Sequence, residues 1–211
     1  MASQRARCDF FYDFSCPYAY LAHTQVEALC QRGGAELRWR PFLLGGVFKA
    51  IGADGPSMPA AKARHNLLDM HRWADHLGVP LRMPPTHPNR TVLALRAALA
   101  AGSDLPRASK AIYAAYWVDA LDVSEPPVLK VALDGAGLDG AALLTAAEQP
   151  SIKDDLRKRT DEAVALGVFG APTFVVTSAA STEGQLFWGQ DRMLFVEKAL
   201  AGWCAAPGVA L

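Results

Sequence analysis

The pattern of apolar and polar positions near the start of the chain predicts two strands and a helix. An apolar run over 8–14 predicts a buried strand, and residues 18–31 after Pro17 predict a helix that Gly33-Gly34 ends. Residues 35–40 alternate apolar and charged side chains, which predicts a second strand. This order is a βαβ unit, for which a right-handed crossover is expected.

The middle of the chain shows helical spacing instead of strand patterns. Apolar residues recur every three or four positions, and a rigid proline cluster at 83–88 interrupts them. We therefore predict a helical insertion domain, residues 56–149. The other domain is predicted to combine residues 1–55 with residues 150–211.

The last part of the chain returns to mixed structure. Residues 152–166 predict a helix, and residues 173–176 and 185–188 predict two strands that pair as a hairpin across 177–184. Asp191 is expected to open a final helix. The order β-α-β, helices, α, β-β, α is that of a thioredoxin-like α/β sheet with a large helical insertion after its second strand.

Composition narrows the class of protein. The chain has 211 residues, of which 51% are hydrophobic and 20% charged, as in a globular protein. Lys plus Arg and Asp plus Glu both number 21, and this balance argues against nucleic acid as a partner. No apolar run reaches the roughly 20 residues that span a bilayer, and no secretory signal is recognised, so a cytoplasmic location is expected. His65, His71 and His76 lack ligand spacing, so no metal site is predicted.

Cys16 is the strongest candidate for chemistry. It lies between a strand end and a helix N-terminus, where unpaired amides favour a thiolate and should lower the thiol pKa. Ala19 occupies the second position of what would be a Cys-x-x-Cys motif, so the site is monothiol. The alternative interpretation is a small buried residue at a strand end. Cys8, Cys30 and Cys204 are expected to behave as small hydrophobic residues.

Two further positions are candidates. Pro172 precedes a strand, as does the cis-proline that faces the active-site helix in thioredoxin-type folds; the Ala171 backbone would then be free to pair with a peptide-like ligand. Most X-Pro bonds are trans, which is the simpler expectation. An aspartate such as Asp191 at a helix start is most often an N-cap, but its carboxylate could also hold a ligand ammonium.

Taken together, these residues resemble the 2-hydroxychromene-2-carboxylate isomerases and the kappa-class glutathione transferases, which belong to the DsbA-like branch of the thioredoxin superfamily. The matching stretches run in the family's order from near residue 8 to about residue 202. They are residues 11–22, 40–49, 91–97, 115–118, 167–174 and 187–192.

The resemblance implies glutathione as cofactor and a small aromatic molecule as substrate. It places Cys16 next to the glutathione sulfur and Ala171, before Pro172, on the glutathione backbone. It assigns the γ-glutamyl end to Gln190 and Asp191, and it assigns Lys62 as a residue that reaches the ligand. Two departures stand out: most members carry serine in place of Cys16, and many carry asparagine near Ala53.

Three functions remain open at this point. The first is a glutathione-dependent cis–trans isomerase acting on conjugated aromatic pyruvates or their cyclic chromene forms, with glutathione regenerated. The second is glutathione conjugation, or monothiol exchange through Cys16. The third is a glutathione- or ligand-binding protein without catalysis. Members of the family typically form homodimers, so the resemblance also implies a homodimer.

Overall fold

A four-stranded mixed sheet lies at the centre of the computed structural model, which describes residues 5–53, 59–179 and 181–204. The strand order is β2-β1-β3-β4; β1 pairs parallel with β2 and antiparallel with β3, and β3 pairs antiparallel with β4. The parallel β1–β2 pair confirms the predicted βαβ unit. The strands are β1 Arg7–Tyr12, β2 Glu36–Pro41, β3 Thr173–Ser178 and β4 Ser181–Trp188.

The chain between β2 and β3 is helical wherever the structure describes it. The predicted order of elements is therefore confirmed, while the division into two domains stays a prediction. The helices are α1 Pro17–Arg32, α2 Leu44–Ala50, α3 Ala60–Leu77, α4 Val92–Ala100, α5 Leu105–Trp117, α6 Pro126–Gly135, α7 Gly140–Ala147, α8 Pro150–Ala165 and α9 Met193–Leu200, with short 3-10 turns at Gly102–Asp104 and Gln190–Arg192.

Helix α1 begins where the sequence predicts it. Cys16 is the N-cap residue with extended backbone angles, and Pro17 occupies the first turn, where its missing N–H costs nothing. Gly33 caps the C-terminus, and its N–H donates back to the Leu29 carbonyl at 3.1 Å. The strand end and the first helical turn are therefore joined by a short loop that holds Cys16 beyond the C-terminal end of β1.

Strand β1 is covered on both faces, which explains why its sequence is a continuous apolar run. Phe10 and Tyr12 pack into the large core beneath α1 and the insertion helices. Phe11 points to the other face and packs with Phe42 and Val168 in a smaller core. The two layers fix both faces of the strand that leads into the Cys16 loop.

The insertion helices pack directly on this strand through aromatic rings. Tyr113 of α5 lies 4.9 Å from Phe14 and 5.8 Å from Tyr12, measured between ring centroids. Trp117 Nε1 donates a 2.8 Å hydrogen bond to the Phe14 carbonyl. Because these contacts flank the Cys16 loop, α5 forms one wall of the candidate site.

Two predicted boundaries differ from the structure. The hairpin link is shorter than predicted, because β4 already begins at Ser181, where a polar edge strand carries no apolar alternation to reveal it. The prediction that Asp191 is an N-cap is wrong: it lies inside a 3-10 turn, and the N-cap of α9 is Arg192. Trp203 follows the end of α9 and is exposed.

No helix within the described ranges is long and apolar enough to cross a membrane.

Candidate active site

Cys16 contacts a second loop from the far end of the chain. Its Sγ donates a 3.0 Å hydrogen bond to the Ala171 carbonyl, and the side chain is half-buried against the large core. The Cys16 carbonyl accepts hydrogen bonds from Ala19 N–H and Tyr20 N–H, both 3.1 Å, which anchors the first turn of α1. The thiol is thus held between a helix N-terminus and a peptide carbonyl.

The direction of the Cys16 pKa shift is opposite to the sequence prediction. Burial, with a smaller contribution from the Asp13 charge, raises the pKa of the Cys16 thiol to about 12. The Ala19 and Tyr18 amides lower it, as predicted for a helix N-terminus, but burial outweighs them. As a donor to the Ala171 carbonyl, the sulfur must also keep its proton. Near neutral pH Cys16 is therefore a neutral thiol.

Asp13 ties together the segments around this thiol, and the sequence analysis missed it. Its carboxylate accepts hydrogen bonds from Ser15 N–H (3.0 Å) and Ser15 Oγ (3.0 Å), Leu44 N–H (2.9 Å) and Thr91 Oγ1 (2.8 Å). These donors come from the Cys16 loop, the start of α2 and the residue before α4. A carboxylate inside an apolar run was the signal that could have found it, since buried acids need such partners.

The Ala171–Pro172 peptide bond is cis, as thioredoxin-type folds require at this position. Within the described part of the chain, the Ala171 N–H makes no backbone hydrogen bond, while its carbonyl accepts from Cys16. Ala171 therefore presents one donor and one acceptor next to the sulfur.

Gln190 and Asp191 lie beside this loop, on a segment that the Gly189 N–H ties to the Pro172 carbonyl at 2.9 Å. Gly189 has φ of 106°, and a Cβ there would stand 2.5 Å from the Asp191 carboxylate, so both the backbone and the close approach favour glycine. Gln190 is 3% exposed, and its Oε1 has no hydrogen-bond partner among the described residues. The exposed Asp191 carboxylate pairs with Arg192 at 2.6 Å.

Helix α3 approaches the site through its side chains. The Tyr18 hydroxyl donates a 3.1 Å hydrogen bond to Asp69, and burial together with the Asp69 charge raises the tyrosine pKa. Lys62 lies seven residues earlier on α3, on the same helical face as Asp69, and is exposed. No hydrogen bond or ion pair between described residues brings Lys62 to Cys16. Ala53 is exposed after α2.

Comparison with known proteins assigns the family. The model of the DSBA-like thioredoxin domain matches residues 7–201. The chain belongs to this family. It is 32% identical to the 2-hydroxychromene-2-carboxylate isomerase of Sphingobium xenophagum over 91% of this chain and 96% of that protein. It is 27% identical to human glutathione S-transferase kappa 1, over 88% and 86% of the two chains.

A solved structure of a 2-hydroxychromene-2-carboxylate isomerase superposes on this member of the DSBA-like family with a TM-score of 0.78. The two chains are 25% identical, over 92% of this chain and 94% of that one. The predicted thioredoxin-like fold of the DsbA type is therefore confirmed, and so is the resemblance to isomerases and kappa-class transferases.

The structure brings together four predicted site elements at the end of the sheet where β1 stops and β3 begins: Cys16, Ala171, Pro172 and the Gln190–Asp191 segment. Lys62 is exposed on α3, the helix whose Asp69 accepts the hydrogen bond from Tyr18. No cluster of metal-ligating side chains occurs within residues 5–53, 59–179 and 181–204.

The buried Asp13 generates a prediction about pH. Burial raises its pKa above the ordinary value of 3.8, more than its hydrogen bonds lower it, so the folded protein binds the proton more tightly than the unfolded chain. The Asp13 contribution to stability therefore grows as pH falls through the folded pKa towards 3.8. We expect the free energy of unfolding of the wild type, minus that of Asp13→Asn, to increase as pH is lowered in urea denaturation series. A difference that decreases would show that the hydrogen bonds outweigh burial.

Proposed function

We propose that this protein is a glutathione-dependent cis–trans isomerase of the 2-hydroxychromene-2-carboxylate isomerase type. Three proteins named 2-hydroxychromene-2-carboxylate isomerase are 27–32% identical to this chain over 91–93% of its length. The observation that carries the proposal is the state of Cys16, a protonated thiol that donates to a carbonyl. Such a group stabilises an anion beside it and does not act readily as a nucleophile.

The residues present fit glutathione. The Oε1 atom of Gln190 is a buried acceptor without a partner, and leaving such an atom unpaired costs about 1–3 kcal/mol, which a ligand ammonium would offset. Asp191 adds a carboxylate at the same turn, so both suit a γ-glutamyl ammonium. Ala171 offers its N–H and carbonyl to the cysteinyl backbone, and Lys62 would reach the ligand from α3.

When bound, glutathione supplies a thiolate that can add reversibly to a conjugated double bond. The residues of this chain would hold that sulfur in place and stabilise its charge. Cys16 would donate its S–H to the anion instead of to the Ala171 carbonyl, and the first-turn amides of α1 would add positive potential. Burial against α5 limits water at this point, which strengthens both interactions.

The same observation separates the competing activities. Thiol–disulfide exchange through Cys16 needs a thiolate at this position, and the raised pKa keeps that form scarce near neutral pH. Conjugation of glutathione needs only the donor role, so it stays an alternative outcome of the assay below. The aromatic pyruvate or chromene substrate, the cytoplasmic location and the homodimer are part of the proposal.

Replacing Cys16 tests the donor role. Cys16→Ser keeps a donor, so we expect its kcat/KM to stay within a few-fold of the wild type. Cys16→Ala removes the donor to an anion, and we expect a loss of about 10–100-fold. The assay follows the glutathione-dependent absorbance change of a hydroxybenzylidene pyruvate together with the concentration of free thiol.

The pattern of results distinguishes the functions. Constant free thiol during turnover supports the isomerase, and stoichiometric loss of thiol indicates conjugation. Loss of activity in Cys16→Ser would indicate exchange through the cysteine sulfur. Binding of glutathione without turnover would indicate a binding protein.

Gln190→Met tests the glutathione site. Methionine has a similar shape but no amide, so it removes an acceptor that has no partner in the free protein. We expect unchanged or slightly higher stability in urea denaturation, with glutathione bound about tenfold more weakly in calorimetry. Unchanged affinity would exclude Gln190 from the site.

A further inference from the structure

Two cysteines meet in the large core, away from the candidate site. Cys8 is in β1, an inner strand of the sheet, and it stands opposite Leu37 on one side and Val176 on the other. Its side chain shares a sheet face with Phe10, so it points into the large core that also contains the buried residues of α1, and it is 0% exposed. Cys30 lies in the last turn of α1 and is 2% exposed.

The turn between α1 and β2 brings these two residues together. The Ala35 N–H donates to the Cys30 carbonyl at 2.9 Å, and the Glu36 N–H donates to the Ala6 carbonyl at 2.8 Å. The chain therefore pairs with the segment just before Cys8 within six residues of leaving Cys30. As a result, the last turn of α1 lies over the start of β1, with both thiols between the helix and the sheet.

A side-chain hydrogen bond joins the two sulfur atoms. The bond to Cys30, together with burial, raises the pKa of Cys8 well above its ordinary value, and the same bond lowers the pKa of Cys30. Cys8 is therefore the donor. Cys30 is the more reactive sulfur, and Cys8 is a second thiol in direct contact with it.

Solvent lies within one helical turn of the pair. Residues 31–34, which end α1 and begin the turn, are all exposed. Helix ends open locally more easily than helix centres, so a molecule as small as hydrogen peroxide can reach Cys30 without global unfolding. Cys8 lies beneath Cys30 in the inner strand, where it can react with an oxidised Cys30.

We propose that Cys8 and Cys30 form a reversible disulfide when the protein meets a hydroperoxide. The Cys30 thiolate attacks one oxygen of hydrogen peroxide and the O–O bond breaks; the hydroxide that leaves takes up the proton lost by Cys30, so the products are a sulfenic acid and water. The Cys8 sulfur then attacks the sulfenic sulfur, the S–O bond breaks, and a second water leaves. Two electrons thus pass from the two thiols to the peroxide.

Glutathione, or another small thiol, reverses the reaction. One glutathione thiolate attacks the Cys30 sulfur and releases Cys8, and a second attacks the mixed disulfide and leaves as glutathione disulfide. Cys30 is 14 positions after Cys16, which is about 20 Å along the axis of α1. The pair therefore reacts separately from the candidate site, and the inference does not rest on the proposed function.

A protein that keeps only these two thiols tests the inference. The chain contains four cysteines, so Cys16→Ser/Cys204→Ser retains Cys8 and Cys30 alone. After the folded protein is treated with hydrogen peroxide, we expect the mass of the monomer to fall by about 2 Da. The thiols titrated in urea should fall from two to none, and an excess of glutathione should restore both.

The complementary variant provides the matched control. Cys8→Ala/Cys30→Ala keeps Cys16 and Cys204, which do not form a pair in the structure, so its monomer should not lose this mass. In the wild type, which needs no variant to fold, peptide mapping should find Cys8 linked to Cys30. Two intact thiols in the first variant, at the time when the exposed Cys204 of the control is oxidised, would overturn the inference. A monomer that only gains oxygen, or a disulfide-linked dimer, would also overturn it.

Urea denaturation tests whether the native structure already holds the two sulfurs in place. A bond between positions 8 and 30 restricts the unfolded chain, so the oxidised form of Cys16→Ser/Cys204→Ser should have a midpoint about 1 M higher than the reduced form. An unchanged or lower midpoint would show that the bond forms only by distorting the native packing, and it would contradict a preformed pair. None of these measurements uses the isomerase assay, so failure of the proposed function leaves them unaffected.

Discussion

The hydrogen bond from the Cys16 thiol to the Ala171 carbonyl is the contact on which the site depends. It joins two residues that are 155 positions apart, and it brings the first turn of α1 against the cis-proline loop. The bond also determines chemistry, because a sulfur that donates must be protonated. Cysteine at this point therefore behaves as serine would, as a neutral donor to an anion placed beside it.

The surroundings keep the thiol in that state. Asp13 gathers donors from three segments around the Cys16 loop, so the loop cannot shift without breaking a buried polar network. Tyr113 of α5 is fully buried close to the loop, and charge on Cys16 or Asp13 would raise its pKa further. Burial by the insertion helices and the nearby carboxylate both oppose ionisation of Cys16, while the helix amides alone favour it.

Local features were predictable from the sequence, and those that depend on tertiary contacts were not. Pro17 and Gly33 mark the ends of α1 because capping depends on neighbouring residues. The raised Cys16 pKa could not be foreseen, since the burial that causes it comes from core packing that includes helices about ninety residues away. Aspartate is preferred at helix starts, which is why Asp191 was expected to be an N-cap. It lies inside a 3-10 turn instead, and Arg192 is the N-cap of α9. Leu44 and Thr91, the two distant hydrogen-bond partners of Asp13, could not be predicted from the sequence either. The same holds for the packing of Trp188 on Gly170.

The ultraviolet absorbance of thiolate, recorded near neutral pH before and after glutathione is added, reports which sulfur carries the negative charge. Because the Cys16 thiol is neutral, we expect no thiolate signal from it in the protein alone, so that the spectra of wild type and Cys16→Ser agree. Addition of glutathione should then produce about one thiolate per site in both proteins. A thiolate signal that is present without glutathione and disappears in Cys16→Ser would show that Cys16 itself carries the charge, and it would contradict the account.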